Sequence, residues 1–256
     1  MTNQRRDFLK LSGAVALLPS LAQFAEGSQS KTSSKKAKSG SGAFTPLPYT
    51  NEDTLSLAAG FSWSPIASMG DVINAKGDRF GDCCDFTAFF SGTDRTQGFL
   101  WVNHEYIVSN VHAGKKIDPK TRTKAQVEAE MKLVGGSFLE LRRSVAGNSL
   151  GPWSLVPDSK RAFRIDATTP IPLVGPAGGR TVRGTMGNCG GGTTPWGTVL
   201  SGEENVQDYY GKQASDDNYG WGQFFEGPEN DYGWVVEVDT TNGSARKLTA
   251  LGRFAH

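Results

Sequence analysis

From Phe44 onward the chain sets short apolar bursts between Gly, Asn, Asp and Pro punctuation. Residues 99–102, 136–141, 196–200 and 234–238 are rich in β-branched and aromatic side chains, and each predicts a strand of about five residues. In the last of these, Val236 and Val238 alternate with Glu237 and Asp239. Thr240, Thr241, Asn242 and Gly243 then make a turn and residues 245–248 return, which predicts a hairpin. The spacing predicts one helix, over 123–134, with Val127, Met131 and Val134 on one face and Gly135 and Gly136 at its end. Many short strands with Gly and Asp turns predict an all-β protein, and a sandwich, a barrel and a propeller all fit that pattern. The close, residues 250–256, reads as the opening of a further strand and predicts a chain that continues.

Composition narrows the picture. A chain of 256 residues and 27.5 kDa can bury a substantial core. Its 32 glycines without a G-X-Y period fit many tight turns, and its three cysteines, Cys83, Cys84 and Cys189, cannot make a disulfide framework. Arg5 and Arg6 with Phe8, Leu9 and Lys10 precede a mildly apolar run too short to span a bilayer, so residues 1–25 read as a twin-arginine export signal. Residues 26–43 are Ser, Gly and Lys with almost no apolar content, and read as a flexible linker to a folded part over 44–256. The signal carries Arg5, Arg6 and Lys10 against Asp7, and the linker Lys31, Lys35, Lys36 and Lys38 against Glu26. The formal net charge of +1 therefore leaves −4 on residues 44–256. That balance excludes a basic nucleic-acid binder and suits carboxylates gathered around cations.

Signatures for serine hydrolases, P-loop kinases and H-E-x-x-H zinc enzymes are missing from the sequence. The most unusual stretch is 187–198, where Cys189 is followed by three glycines and then Pro195 and Trp196. Those glycines let the backbone approach whatever the thiol touches, and a thiolate serves as a metal ligand or a nucleophile. By itself the stretch reads equally as a structural cysteine in a glycine turn. Across the next strand lie Ser201, Gly202, Glu203, Glu204 and Asn205. Successive strand residues face opposite ways, so one glutamate at most looks inward while pairing continues. Asn103, His104, Glu105 and Tyr106 close the strand that Phe99 opens, with His104 expected to be structural.

Together these blocks resemble the PhoX alkaline phosphatase family. The resemblance rests on residues 101–106, 187–189 with 194–198, 201–205 and 249–256, behind a twin-arginine signal. It implies a six-bladed β-propeller, of which this chain supplies the N-terminal part, with Ca2+ and Fe3+ in the central channel. It also implies hydrolysis of small phosphate monoesters in the periplasm or outside the cell, by a monomer without membrane anchor or nucleic-acid partner, delivered by the twin-arginine machinery. Calcium takes six to eight oxygens and a thiolate suits iron, so the resemblance implies Glu105, Cys189, Glu203 and Glu204 as metal ligands. Cys189, Arg253 and Asn103 would form the catalytic centre, with Asn103 and Arg253 donating to phosphate oxygens, and Trp196 would wall the substrate pocket or donate its indole N–H. No two ligands have zinc-finger or EF-hand spacing, so they must converge from separate blades. The alternative is a calcium-containing propeller, a binding protein or a lactonase-like hydrolase, in which Cys189 has no iron to hold. A third reading is that half the expected blades would expose strand edges and leave fold and activity dependent on the rest.

Overall fold

The structure, a computed structural model, describes residues 47–107, 111–112, 115–116, 121–210 and 219–254. The expected signal (1–25) and linker (26–43), and the final Ala255 and His256, lie outside the described residues. The chain divides into two units at Ser62 and Trp63. In the first, the described residues 47–62 form turns without strand or helix, such as the one in which Phe61 N donates to Ala58 O. No helix among the described residues is long and apolar enough to cross a membrane.

The second unit is built from antiparallel strands. In chain order these are β1 (Cys84–Ser91), β2 (Gln97–His104), a two-residue pair β3 (Val111–His112) and β4 (Lys115–Lys116), helix α1 (Lys124–Met131), β5 (Gly135–Ala146), β6 (Ser149–Leu155), β7 (Phe163–Ile165), β8 (Pro170–Val174), β9 (Thr181–Arg183), β10 (Asn188–Thr193), β11 (Thr198–Glu203), α2 (Gln207–Tyr210), β12 (Val235–Asp239) and β13 (Ala245–Leu248). One sheet runs β1-β2-β5-β6, with β7 also paired to β5, and the other runs β10-β11-β12-β13-β8-β9. Among the described residues only β13 and β8 pair in parallel, which joins the β8–β9 hairpin to the edge of a four-stranded antiparallel meander.

The predicted strands at 99–102, 136–141 and 234–238 fall on β2, β5 and β12, and β12–β13 is the predicted hairpin. Its alternation buries Val236 and Val238, which join Val199, Ile171, Phe99, Trp101 and Phe138 in the core between the two sheets. Each such side chain contributes about 1.5–3 kcal/mol by leaving water. The helix is shorter than predicted. Thr123 caps it by accepting from Gln126 N while the Gln126 side chain accepts from Thr123 N, and it ends at Met131 because Gly135 and Gly136 already belong to β5. Val127, Met131 and Val134 are fully buried as the spacing implied, packed with Tyr209, Trp221 and Tyr232.

Three expectations are corrected. Trp196 is not in a strand: it lies in the turn between β10 and β11, because Gly197 adopts φ 87 and Thr194 accepts from it. The glycines after Cys189 are not a turn but strand β10, and a Cβ on Gly191 would stand 2.3 Å from the Phe86 ring. Glycine there lets β10 press against β1 of the other sheet. Nor does a strand begin at residue 250: Thr249–Leu251 is one 3₁₀ turn, after which Gly252 turns the chain at φ 85.

Candidate metal centre

Two hairpins, β1–β2 and β10–β11, reach the same place with the same device. In the first, pairing runs Cys84 with His104 and then Thr87 with Val102, so one extra residue bulges beside Asp85. In the second, Asn188 pairs with Glu203 and Gly191 with Ser201, so the bulge falls beside Cys189. Bulges re-aim side chains at sheet rims. Opposite each bulge the partner strand has just ended, and the next residue is a glutamate, Glu105 or Glu204. Glu105 N donates to Cys83 O at 3.0 Å, and Glu204 N donates to Gly187 O at 2.8 Å. Cys83 and Gly187 occupy matching positions, both left-handed, with φ 36 and 58.

The outcome is a cluster of acidic and thiol ligands from both sheets. One ligand atom from each of Asp85, Glu105 and Cys189 lies within 4.8 Å of the other two. Glu204 adjoins them closely enough for its carboxyl to act on both Glu105 and Cys189. Burial pushes the Glu105 carboxyl up to about 7, followed by the neighbouring Glu204 and Asp85 carboxyls. Cys189 rises to about 12, again through burial first, then the three carboxylates. Negative groups have been gathered here against their mutual repulsion, which a cation among them would reverse. Three carboxylates and one sulfur are a mixed hard and soft donor set, so the residues fit both an oxygen-seeking ion and iron.

Neighbouring polar residues hold these ligands rather than joining them. Asn103 is fully buried. Its Oδ1 accepts from Trp101 Nε1 at 2.7 Å and Ser201 Oγ at 2.9 Å, and its Nδ2 donates to the carbonyls of Cys189 at 2.7 Å and Gly190 at 3.2 Å. Its hydrogen-bonding capacity is spent on fixing the Cys189 backbone, not turned toward a phosphate as expected. His104, structural as expected, shares Nδ1 with Asp82 O and Nε2 with Ser137 Oγ, and burial holds its pKa well below the usual value, so it is neutral.

The two adjacent glutamates separate by strand alternation. Glu204 faces the cluster. Glu203 faces the other way, 2.7 Å from Lys247 Nζ in an ion pair with both side chains fully buried, and accepts from Trp234 N. Its expected role as a ligand therefore gives way to an internal ion pair. Trp196 lies at the far end of β10–β11, about 20 Å of strand from the cluster. It is 71% exposed, donates to Glu237 Oε1 at 3.0 Å, and borders a separate cleft of about 880 Å³ with Phe90, Arg161 and Arg246. That distance removes it from the wall of the centre. Arg253 is held by Tyr232 O, Asn230 Oδ1 and Glu229, and borders a hollow of about 240 Å³ together with Asn205. Asp85 is not among the residues that the sequence points to. A lone Asp at a strand opening carries no signal without the bulge. Cys84 is exposed and Cys83 half-buried, both with thiol pKa values raised mainly by burial.

A cluster of carboxylates and a thiol at the rim where two β-sheets meet is an arrangement that could hold a metal ion. Residues 42–256 match the family described as alkaline phosphatase PhoX, and the chain belongs to that family. Among solved structures it is similar to Pseudomonas fluorescens PhoX in complex with vanadate, a transition state analogue. The identity is 27% and the TM-score 0.72, over 83% of this chain and 45% of that one. The chain thus spans about half the length of that protein, and its two sheets are blades of part of a β-propeller. No curated protein sequence matches it.

Proposed function

We propose that this protein is a metal-dependent phosphomonoesterase, releasing inorganic phosphate from small phosphate esters outside the cytoplasm after twin-arginine export, as a monomer. The observation that carries the reading is the convergence of Asp85, Glu105 and Cys189 within 4.8 Å, with Glu204 beside them, in a member of this family. That the solved relative, a PhoX, holds vanadate as a transition state analogue supports phosphatase chemistry here. Asp85, Glu105, Glu204 and Cys189 would hold the metal, with calcium on the carboxylates and ferric iron on the sulfur. When bound, such cations polarise phosphoryl oxygens and offset the charge that develops as the ester breaks. The chain's own residues supply the rest. The bulges aim Asp85 and Cys189 inward, Asn103 fixes the Cys189 backbone, and Arg253 offers the planar guanidinium suited to phosphate at the hollow it shares with Asn205.

The test is elemental analysis of the purified protein with a phosphomonoester assay before and after chelation. Stoichiometric calcium and iron, with activity lost on chelation and regained on adding metal back, is the expected result. Undiminished turnover in a protein freed of metal would overturn the proposal. Cys189→Ser separates it from the calcium-only alternative: iron and activity should both disappear, whereas a calcium-only propeller would retain its metal.

A further inference from the structure

We infer that Asn205 is a positioning residue for the metal ligands, locking together the ends of the two ligand-bearing hairpins through its side-chain amide. The inference deepens the proposed function and rests on it. Asn205 Nδ2 donates to Glu204 Oε1 at 2.9 Å and to Tyr106 Oη at 2.6 Å. Tyr106 directly follows Glu105, as Asn205 directly follows Glu204, so this one amide nitrogen joins matching positions of two blades 99 residues apart. On the Glu105 side the strand end is tied again, because Tyr209 Oη donates to Glu105 O at 2.5 Å and the Tyr106 and Tyr209 rings stack at 6.5 Å.

Backbone conformation explains why an asparagine does this. At φ 51 the residue is left-handed, which breaks strand alternation just after Glu204 and lets side chains 204 and 205 meet. Glycine would satisfy that backbone equally well, and asparagine tolerates it better than most other side chains. What asparagine adds is the donor. The amide aims one Glu204 oxygen, leaving the carboxylate turned toward Glu105 where repulsion alone would swing it away.

Asn205→Gly therefore separates the two roles, keeping the left-handed turn and deleting the amide. Calcium titration of the metal-free full chain by calorimetry is the readout, with thermal unfolding of the same metal-free samples. We expect Asn205→Gly to unfold within a few degrees of the wild type and to bind calcium about 10- to 100-fold more weakly, as loss of a ligand-orienting partner does. Wild-type affinity in Asn205→Gly overturns the inference alone. Absence of calcium binding by the wild type overturns the proposed function along with it. Should Asn205→Gly fail to unfold cooperatively, Tyr106→Phe decides, since it removes only the hydroxyl at the other end of the lock, and unchanged affinity there is equally fatal.

Discussion

Lys247 and Glu203 form an ion pair inside the second sheet, and its removal can be worked through quantitatively. Lys247 Nζ lies 2.7 Å from Glu203 Oε1, donates to Asp231 O at 2.9 Å, and stands 4.2 Å over the Tyr232 ring, with neither side chain exposed. Burial pulls the lysine pKa down while Glu203 opposes the shift, so the pair survives because each charge is the other's solvent. Lys247→Met strands a buried carboxylate and should cost about 3–5 kcal/mol. For a chain of this size that lowers the melting temperature by roughly 6–20 °C. Lys247→Met with Glu203→Gln removes both charges and keeps an acceptor for Trp234 N, so it should return to within about 2 kcal/mol of the wild type. Urea denaturation of the four proteins closes the double-mutant cycle, with equal slopes required for the comparison. Additive costs, with the double mutant worse than either single one, would refute the argument. Glu203→Gln should also leave the bound metal count unchanged and Glu204→Gln should lower it. The opposite pattern would return Glu203 to the ligand set.

Gly187 and Cys83 share one backbone role and should respond differently to substitution. A Cβ on Gly187 would stand 2.1 Å from Glu204 O, so Gly187→Ala should destabilise the metal-free protein by more than about 2 kcal/mol and weaken metal binding. Cys83→Gly, relieving a left-handed cysteine at the cost of chain entropy, should stay within about 1 kcal/mol of the wild type by denaturation. The Glu237 carboxyl is held below its usual range first by Trp196, then by Arg246 and Thr198 against a burial penalty. A depressed folded value means its contribution is present above the unfolded pKa of about 4.3 and is lost as pH falls through the folded one. Trp196 fluorescence should therefore shift in acid below about pH 4, and Glu237→Gln should abolish that step. A step that persists in the variant would assign it to another group.

Periodicity made the strand content legible. β12 and β13 could be read almost to the residue because Val236 and Val238 face one core and the turn residues are unambiguous. β8, β9 and β10 could not, because Pro170, Pro172 and the glycines of β10 suppress the propensities on which a strand reading depends. For the site, resemblance brought Cys189, Glu105 and the Glu203–Glu204 pair into view, but not the division of labour. Alternation alone limited the inward glutamates to one. Which one depended on Lys247, 44 positions from Glu203 in sequence. The family resemblance implies Asn103 and Trp196 as substrate contacts. Both are instead bound to protein partners, Asn103 as a buried amide that must satisfy all its hydrogen bonds.

The least legible feature is also the one that builds the centre. A bulge is a mismatch between two strands, so no single segment encodes it, and both Asp85 and Cys189 depend on one. In a regular ladder Asp85 and Cys189 would follow the alternation of their strands, and shifting either by one residue would turn its side chain to the opposite face. The two hairpins repeat the arrangement with different chemistry: a left-handed residue whose carbonyl receives the glutamate N–H, a bulged ligand, and a glutamate just past the partner strand. One copy supplies an oxygen at the bulge and the other a sulfur. That substitution within a shared frame is what allows one centre to offer hard and soft donors side by side. The polar residues between the copies, Asn103 on the Cys189 backbone and Asn205 on Glu204 and Tyr106, hold the two halves at ligand distance. The geometry of the site is therefore a property of how the blades are joined, and substitutions at these joints should alter metal affinity before they alter the fold.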